Sequence, residues 1–306
     1  MRPLFLLLLA LSACTPHDDF DFDTCGVRPR YVLPLAFRAG QPIVQGSIGG
    51  KPAEFILDTG ATTILLTEAA AERLGVPVNQ RQVVTSQGMG GAVRSFAATL
   101  RDLKIGQIEV PDHQIRMIRE FPDSSGLAGV AGLFGASVLH IFEVELDFAH
   151  AKATLHAGRL CPQTVIPPWN FGFSTISAEG SRDGRFLIPV ELDGRRIIAL
   201  IDTGSTQTVV ARDIAAALGA TDERLARGPQ GRVVGVGGSV ASAGYAFRSL
   251  RIGDETYGAP ELIVAPRAEP GIDIILGSDF LARHRIWLSY ARRRVFIEYG
   301  PRPSRP

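Results

Sequence analysis

Cysteine is scarce in this sequence: its 306 residues include three, at positions 14, 25 and 161, and no C-x-x-C pair. A zinc ribbon and a thioredoxin-like redox site both need that pair, so the sequence excludes them. The six histidines show no H-E-x-x-H motif and no other ligand-like spacing. The G-x-S-x-G elbow of serine hydrolases and a phosphate-binding loop are absent as well. We therefore predict no metal site and no cofactor.

The sequence also lacks an excess of positive or negative residues. The 32 Lys and Arg residues balance 31 Asp and Glu residues, which gives a net charge of +1. Nucleic-acid binders carry clustered, excess Lys and Arg, so we predict no nucleic-acid partner. With 45% apolar residues the composition is that of an ordinary globular protein, long enough for two compact units with their own cores.

The N-terminus lacks an apolar run of membrane-spanning length. Arg2 precedes the unbroken run Leu4–Leu11, which is too short to cross a bilayer. A basic start, a short apolar core and then small residues are typical of an export signal. The ending Leu11-Ser12-Ala13-Cys14 resembles the lipobox of bacterial lipoproteins, which implies cleavage before Cys14 and lipidation of its thiol. The alternative is an ordinary secretory signal with an incidental cysteine.

The predicted N-terminal organisation is a signal peptide over residues 1–13 and a polar tether over residues 14–30. We expect the lipid to attach the exported protein to a membrane of the bacterial cell envelope, since several acyl chains give stable anchoring. Thr15 stands where an acidic residue often marks inner-membrane retention in some bacteria. We therefore favour the periplasmic face of the outer membrane.

The two remaining cysteines allow two interpretations. An exported protein can pair Cys25 with Cys161, and the disulfide would hold the N-terminal arm near the middle of the chain. Two unpaired thiols are the alternative, and the sequence leaves both open.

An internal repeat organises the rest of the chain. FILDTGATTILL, residues 55–66, recurs as ALIDTGSTQTVV, residues 199–210, with the two Asp-Thr-Gly triplets 144 positions apart. Further pairs match on both sides, including glycine-rich stretches and the closing segments of each copy. Such self-similarity indicates a duplicated lobe. We predict an N-terminal lobe, a linker, a C-terminal lobe and a tail at residues 31–158, 159–183, 184–300 and 301–306.

Each lobe is predicted to be mostly β. Most segments are short, apolar and bounded by Gly, Pro, Asn or Asp, which is typical of strands. A short helix is expected over residues 67–75 and again over 211–219, because both stretches end in a glycine at the C-terminal cap position. The linker 159–183 holds several Pro and Gly residues and is expected to have little regular structure.

The two Asp-Thr-Gly copies carry a family resemblance. One copy arises by chance in roughly one chain in twenty of this size, so two copies with matching flanks are far more specific. Together with Leu133-Phe134-Gly135 and Ile275-Leu276-Gly277, they resemble the aspartic peptidases, in both the pepsin-like and retropepsin-like branches. The resemblance covers nearly the whole chain after Arg30. It implies a bilobal acid-protease fold in which the catalytic residues Asp58 and Asp202 meet between the lobes.

The resemblance also implies roles for the residues around this pair. Two carboxylates about 3 Å apart share one proton, so one can activate a water while the other polarises the substrate carbonyl. The threonine hydroxyls are expected to latch the two loops together, and the glycines to permit tight turns whose N–H groups point at the carboxylates. The supporting positions are Thr59, Gly60, Ala61, Thr203, Gly204 and Ser205.

One difference between the loops is the residue after the glycine, Ala61 in the first and Ser205 in the second. In the family's geometry a hydroxyl there can donate to the nearby carboxylate, which lowers its pKa. We therefore expect Ser205 to keep Asp202 the more persistent base, with the shared proton on Asp58.

Two glycine-rich stretches resemble the tips of flaps that close over a bound peptide. One flap in each lobe is the retropepsin plan, and the absence of a tyrosine near residues 88–95 also favours that branch, fused into one chain. The alternative is a pair of ordinary hairpin turns. The tip residues are Gly88, Met89, Gly90, Gly91, Gly235, Val236, Gly237 and Gly238.

These features predict an aspartic endopeptidase that acts on peptide or protein substrates as a monomer, through a water activated between Asp58 and Asp202. The alternative is a catalytically silent peptide-binding lipoprotein of the envelope with the same fold. Two intact Asp-Thr-Gly motifs favour catalysis, because a silent relative would often have lost one.

Overall fold

The computed structural model describes residues 28–77, 79–121, 125–157, 167–179 and 183–298. The predicted signal peptide, most of the predicted tether, and Cys14, Cys25 and Cys161 lie outside these residues. The described residues form 25 strands, five α-helices and one short 3-10 helix, so the prediction of a mostly-β fold is confirmed. None of the helices in this part of the chain has the length and apolarity needed to span a bilayer.

Among the described residues, the first half of the chain forms thirteen strands and two α-helices. They are β1 (Arg28–Pro34), β2 (Ala36–Arg38), β3 (Gln41–Ile48), β4 (Lys51–Leu57), β5 (Leu65–Thr67), α1 (Glu68–Leu74), β6 (Asn79–Gly88), β7 (Gly91–Leu100), β8 (Leu103–Ile105), β9 (Ile108–Val110), β10 (His113–Ile118), β11 (Gly132–Phe134), α2 (Ala136–Leu139), β12 (Glu143–Asp147) and β13 (Lys152–Ala157), with the 3-10 helix Phe148–His150 between the last two.

The part of the second half that the structure describes forms twelve strands and three helices. They are β14 (Phe173–Ser177), β15 (Leu187–Leu192), β16 (Arg195–Ile201), β17 (Val209–Ala211), α3 (Arg212–Ala217), α4 (Asp222–Arg227), β18 (Gln230–Gly235), β19 (Gly238–Ala246), β20 (Ser249–Ile252), β21 (Glu255–Gly258), β22 (Glu261–Ala265), β23 (Ile274–Leu276), α5 (Ser278–Leu281), β24 (Arg285–Ser289) and β25 (Arg294–Glu298).

The duplication appears as two sheets with the same strand order. The first sheet runs β6-β7-β10-β5-β11-β4-β3-β8-β9, with β2 paired to β3, and the second runs β18-β19-β22-β17-β23-β16-β15-β20-β21. Central strands β4 and β16 both end in three consecutive buried apolar residues, and because successive side chains point to opposite faces, both faces of each sheet are covered there. The chain is therefore bilobal.

Both predicted short helices are present at the expected places. In α1 the Thr67 hydroxyl caps the N-terminus by accepting from the backbone N–H of Ala70, at 3.2 Å. Gly75 ends the helix with φ of +79°, a left-handed conformation that glycine adopts without strain. In the second copy α3 is shorter, and Gly219 follows it with φ of +93°.

A third sheet joins the two lobes. Its order is β1-β13-β12-β24-β25-β14, and antiparallel pairing of β12 with β24 links one half of the chain to the other. Strand β14 lies inside residues 159–183, so the expectation of little regular structure there was wrong for this part. It pairs with the edge of the β24–β25 hairpin, as β1 pairs with the equivalent hairpin of the first copy.

One face of the joining sheet buries acidic residues. Glu143, Glu145 and Asp147 alternate along β12 and therefore point to the same side, while Val144 and Leu146 face the main core. Glu145 accepts from Trp169 Nε1 at 3.1 Å and from Arg285, and its other oxygen lies 2.9 Å from His156 Nε2. These carboxylates are thus paired where the two halves of the chain meet, as buried charges must be.

Candidate active site

Each Asp-Thr-Gly loop begins where a central strand ends. Asp58 follows β4 and Asp202 follows β16, and their backbone N–H groups donate to Phe134 and Leu276, at 3.0 and 3.1 Å. A Cβ on Gly135, the residue after Phe134, would meet the carbonyl oxygens of Thr63 and Ala61 at 2.5 and 2.8 Å. The residue that follows the neighbouring strand must therefore be glycine for the aspartate loop to fold against it.

The two loops are latched to each other by their threonines. Thr59 Oγ1 donates to Ile201 O at 2.9 Å and accepts from Thr203 N at 3.1 Å. Thr203 Oγ1 donates to Leu57 O and accepts from Thr59 N at 3.0 Å. Both threonines are buried. Four reciprocal hydrogen bonds therefore fix one lobe's loop against the other at the floor of the cleft.

The latch brings the two aspartates together. Asp58 Oδ1 accepts from the backbone N–H groups of Gly60 and Ala61, at 2.8 and 2.9 Å. Asp202 Oδ1 accepts in the same way from Gly204 and Ser205, at 2.8 and 3.1 Å. Each carboxyl group lies directly against the glycine of the opposite loop, where an added Cβ would overlap it. Oδ1 of each aspartate is thus held by backbone donors, and both aspartates line the cleft.

Burial and proximity raise the pKa of both carboxyl groups. Burial raises the pKa of Asp58 well above its ordinary range, and the negative charge of Asp202 raises it further. Burial also raises the pKa of Asp202, but its hydrogen bonds with Asp58 and the backbone, and the positive charge of Arg185, oppose the increase. Burial and the close approach of the two carboxyl groups therefore favour a pair that keeps one proton.

The expected contribution of Ser205 to this asymmetry is not found. Its hydroxyl donates to the carbonyl oxygen of Gln207, at 2.8 Å, instead of to the Asp202 carboxylate. The chain bends at residues 206–207, which brings the Gln207 carbonyl oxygen within hydrogen-bonding distance of this hydroxyl. The location of the shared proton on Asp58 stays a prediction, and the positive charge of Arg185, which lowers the pKa of Asp202, favours the same direction.

Sequence reasoning missed Gln41 and Arg185, which stand at equivalent positions seventeen residues before the two aspartates. Gln41 Nε2 donates across the cleft to the carbonyl oxygen of Gly204. Arg185 is buried and forms ion pairs with Asp183 and Glu269. The signal was available, because the two copies align without a gap over this stretch and Arg185 is charged where Gln41 is neutral.

The glycine-rich tips meet above the aspartates. The tip at Gly88–Gly91 joins β6 to β7, the tip at Gly235–Gly238 joins β18 to β19, and Gly90 N donates to Val236 O at 3.0 Å. Each tip also packs an apolar side chain on the opposite lobe. Met89 contacts the cluster of Leu200, Ile272 and Ile275, and Val236 contacts the cluster that includes Ile56, Leu65 and Leu133.

The floor and the two tips enclose a cleft of about 970 Å³. Both aspartates line it, together with apolar residues from the first lobe and with Met89 and Val236 from above. Within the described ranges no group of three or more His, Cys, Asp or Glu residues is placed to hold a metal ion. The chemistry that these residues can perform is proton transfer by the carboxyl pair.

Comparison with known families agrees with this geometry. The family model described as aspartyl protease matches the chain twice, over residues 44–138 and 188–280, and each match contains one Asp-Thr-Gly loop. No curated protein sequence matches the chain. The two matches cover more than half of the sequence, one in each lobe. The chain therefore belongs to the aspartyl protease family.

Proposed function

We propose that this protein is an aspartic endopeptidase of the retropepsin-like kind, with both lobes in one chain. The observation that carries the proposal is the close, buried pair of Asp58 and Asp202 at the floor of a roofed cleft. Two carboxyl groups with raised pKa values that share one proton provide an acid and a base together.

The proposed reaction uses each residue in one role. Asp202, the charged member, takes a proton from a water molecule between the carboxyl groups, and the resulting nucleophile attacks the peptide carbonyl carbon. Asp58 donates its proton to the carbonyl oxygen, which stabilises the tetrahedral intermediate. The intermediate then collapses as the amine leaves with a proton from the pair, so no covalent enzyme intermediate forms. Gly60 and Gly204 hold the carboxylates in position through their N–H groups.

Cleavage of denatured casein and of a mixed peptide library tests the proposal. Wild-type protein should cleave, and Asp58→Asn should lose about 10³-fold or more of kcat/KM, because one ionisable carboxyl cannot be both acid and base. Glu261→Gln, which changes an exposed carboxylate that does not line the cleft, is the control. Peptide binding without cleavage by the wild type would favour the catalytically silent alternative.

We further propose that the protein is exported and anchored by lipid on Cys14, on the periplasmic face of the outer membrane. The lipobox-like Leu11-Ser12-Ala13-Cys14 supports this. Cys14→Ser should move the protein from the membrane fraction to the soluble fraction or stall its processing. Unchanged fractionation with normal N-terminal processing would contradict the anchor.

A Cys25–Cys161 disulfide is compatible with export, and intact-mass measurement after alkylation tests it. A mass increase from two alkylated thiols in unreduced periplasmic material would exclude the disulfide. No mass increase before reduction, followed by two alkylations after it, would establish the bond.

A further inference from the structure

The two walls of the cleft are related by the duplication but differ in charge. Ala39 and Gln41 line the first wall where Asp183 and Arg185 line the second. Leu127 and Glu269 are equivalent as well, since each precedes by eight residues the glycine that ends its strand. A neutral set in the first lobe thus faces an ionised set in the second lobe.

The ionised set is an ion-paired triad built around Arg185. Its Nε and Nη2 donate to Asp183 Oδ2 at 3.0 and 2.7 Å, and Nη1 and Nη2 donate to the two oxygens of Glu269, both at 2.8 Å. The Arg185 side chain is 9% exposed, whereas those of Asp183 and Glu269 are 35% and 39% exposed. The carboxylates therefore form the surface that a ligand meets. One guanidinium against two carboxylates leaves a net negative charge.

The first wall carries a charge of the opposite sign. Arg116 lies on β10 opposite Leu65 of β5 and lines the cleft. The equivalent position on β22 is Ile263, which lies opposite Val209. The cation on the first wall therefore has an apolar counterpart in the second lobe, which packs against the cluster of Val209, Val233 and Ala265 and adds no charge to the cleft.

A third arginine of the cleft belongs to its roof. Arg232 is on the second flap, where its guanidinium donates to the Ser239 hydroxyl in the same hairpin, at 2.7 and 2.9 Å. The Arg232 guanidinium is therefore positioned by its own flap and bonds to no described residue of either wall of the cleft. The difference between the walls remains: Arg116 on the first and the net negative triad on the second.

We propose that the cleft is electrically polarised across its pseudo-twofold axis and selects peptides by charge order, with a basic side chain at the second wall and an acidic one at the first. This inference rests on the proposed peptidase function. Opposite charges attract more strongly in a partly dehydrated cleft than in bulk water, and the reversed peptide would place like charges together at both ends. The duplication supplies two similar walls, and their charges decide which way the peptide lies.

Peptides of identical composition test the charge order. Internally quenched substrates carry Lys on one side of the scissile bond and Glu on the other, in both orders, with each charge scanned over three positions. For at least one pair of positions we expect one order to be cleaved with a kcat/KM about fivefold higher or more, a ratio that falls as salt is added. Equal cleavage of both orders at every spacing would overturn the proposal.

Matched variants locate the two charges. Glu269→Gln should reduce the advantage of Lys over norleucine at its preferred position, and Arg116→Gln should reduce the advantage of Glu over glutamine at the other. Glu261→Gln and Arg101→Gln remove exposed charges that do not line the cleft and should leave both ratios unchanged. If cleft and control variants change the ratios equally, the assignment of the walls is wrong.

A binding measurement separates this inference from the proposed function. Fluorescence anisotropy with Asp58→Asn reports the affinity of the two peptide orders without cleavage. Cleavage by the wild type with no order preference in either assay would overturn the charge selection alone. Absence of any cleavage would contradict the peptidase function, while a preserved binding preference would still support the polarised cleft.

Discussion

The two halves of the chain meet at the floor of the cleft and again at the six-stranded sheet, and both regions bury carboxylates. At the floor Asp58 and Asp202 face each other and accept from backbone N–H groups. In the sheet Glu145 has direct side-chain partners in Trp169 and Arg285. The same chemical group is therefore buried in two different ways within one molecule.

The partners decide the protonation of each group. Burial would raise the pKa of Glu145, but hydrogen bonds with His156 and Trp169 and the charge of Arg285 lower it to about 2. For Asp58 burial and the Asp202 charge act in the same direction, and its pKa is raised. A buried carboxylate beside a cation is held in its charged form and serves structure, whereas one beside a second carboxylate keeps a proton available for chemistry.

We expect the largest effect on activity from adding a side chain to the two glycines at the floor of the cleft. A Cβ added to Gly60 would overlap the Asp202 carboxyl group, and one added to Gly204 would overlap that of Asp58. Gly60→Ala and Gly204→Ala should each lower peptide cleavage by about 10²-fold or more, because the pair loses its alignment. Gly258→Ala, where an added Cβ meets nothing within 4 Å, is the control. Near-normal kcat/KM in either floor variant would contradict the role of the pair.

A second experiment removes the cation from the sheet. Arg285→Met leaves the buried Glu145 with fewer charge-compensating contacts, so we expect a loss of about 2–4 kcal/mol in the free energy of unfolding, measured by urea titration. Arg248→Met breaks the ion pair with Asp193 at an exposed arginine and should cost less than about 1 kcal/mol. Similar losses in the two variants would mean that the sheet carboxylates contribute little to stability.

The two regions should respond to pH with opposite signs. The folded-state pKa of Glu145 lies below its ordinary 4.5, so its stabilisation is present above that value and disappears as the pH falls towards 2. Glu145→Gln should therefore cost about 2–3 kcal/mol at neutral pH and progressively less in acid, as measured by urea titration at several pH values.

For Asp58 the pKa is raised in the folded state, so its contribution is present at low pH and disappears as the pH rises through the folded value. Asp58→Asn should gain thermal stability relative to the wild type as the pH rises. If both variants shift in the same direction with pH, the contrast between the two regions is wrong.

The smallest effect concerns the asymmetry of the pair. Arg185→Gln puts in the second lobe the residue that the first lobe has at position 41, and it removes a positive charge that lowers the pKa of Asp202. The alkaline limb of kcat/KM against pH should move to higher pH. Ala61→Ser should leave that limb in place, because the equivalent hydroxyl of Ser205 bonds to a backbone carbonyl. A shift in Ala61→Ser without one in Arg185→Gln would reverse this assignment.

Local patterns were sufficient for the elements close to the repeated motif. Apolar runs that end in Asp-Thr-Gly predicted central strands followed by loops, and the glycines after residues 67–74 and 211–218 predicted the ends of the short helices. Strand β14 escaped prediction because its regularity comes from pairing with β25, which lies more than a hundred residues later. The proline and glycine residues around it suggested an irregular linker, but pairing with β25 makes residues 173–177 a strand.

The sequence by itself determined the duplication, the mostly-β class and the identity of the two paired aspartates. Each of these features depends on short stretches of neighbouring residues, namely a repeat and a tight loop between apolar strands. Only the tertiary structure decided which groups surround those aspartates. The partner of Ser205 is two residues away, but Arg185 reaches Glu269 across 84 positions, and Glu145 reaches Arg285 across 140. Protonation depends on burial and on charges a few ångströms away, and the folded chain brings such charges from anywhere in the sequence.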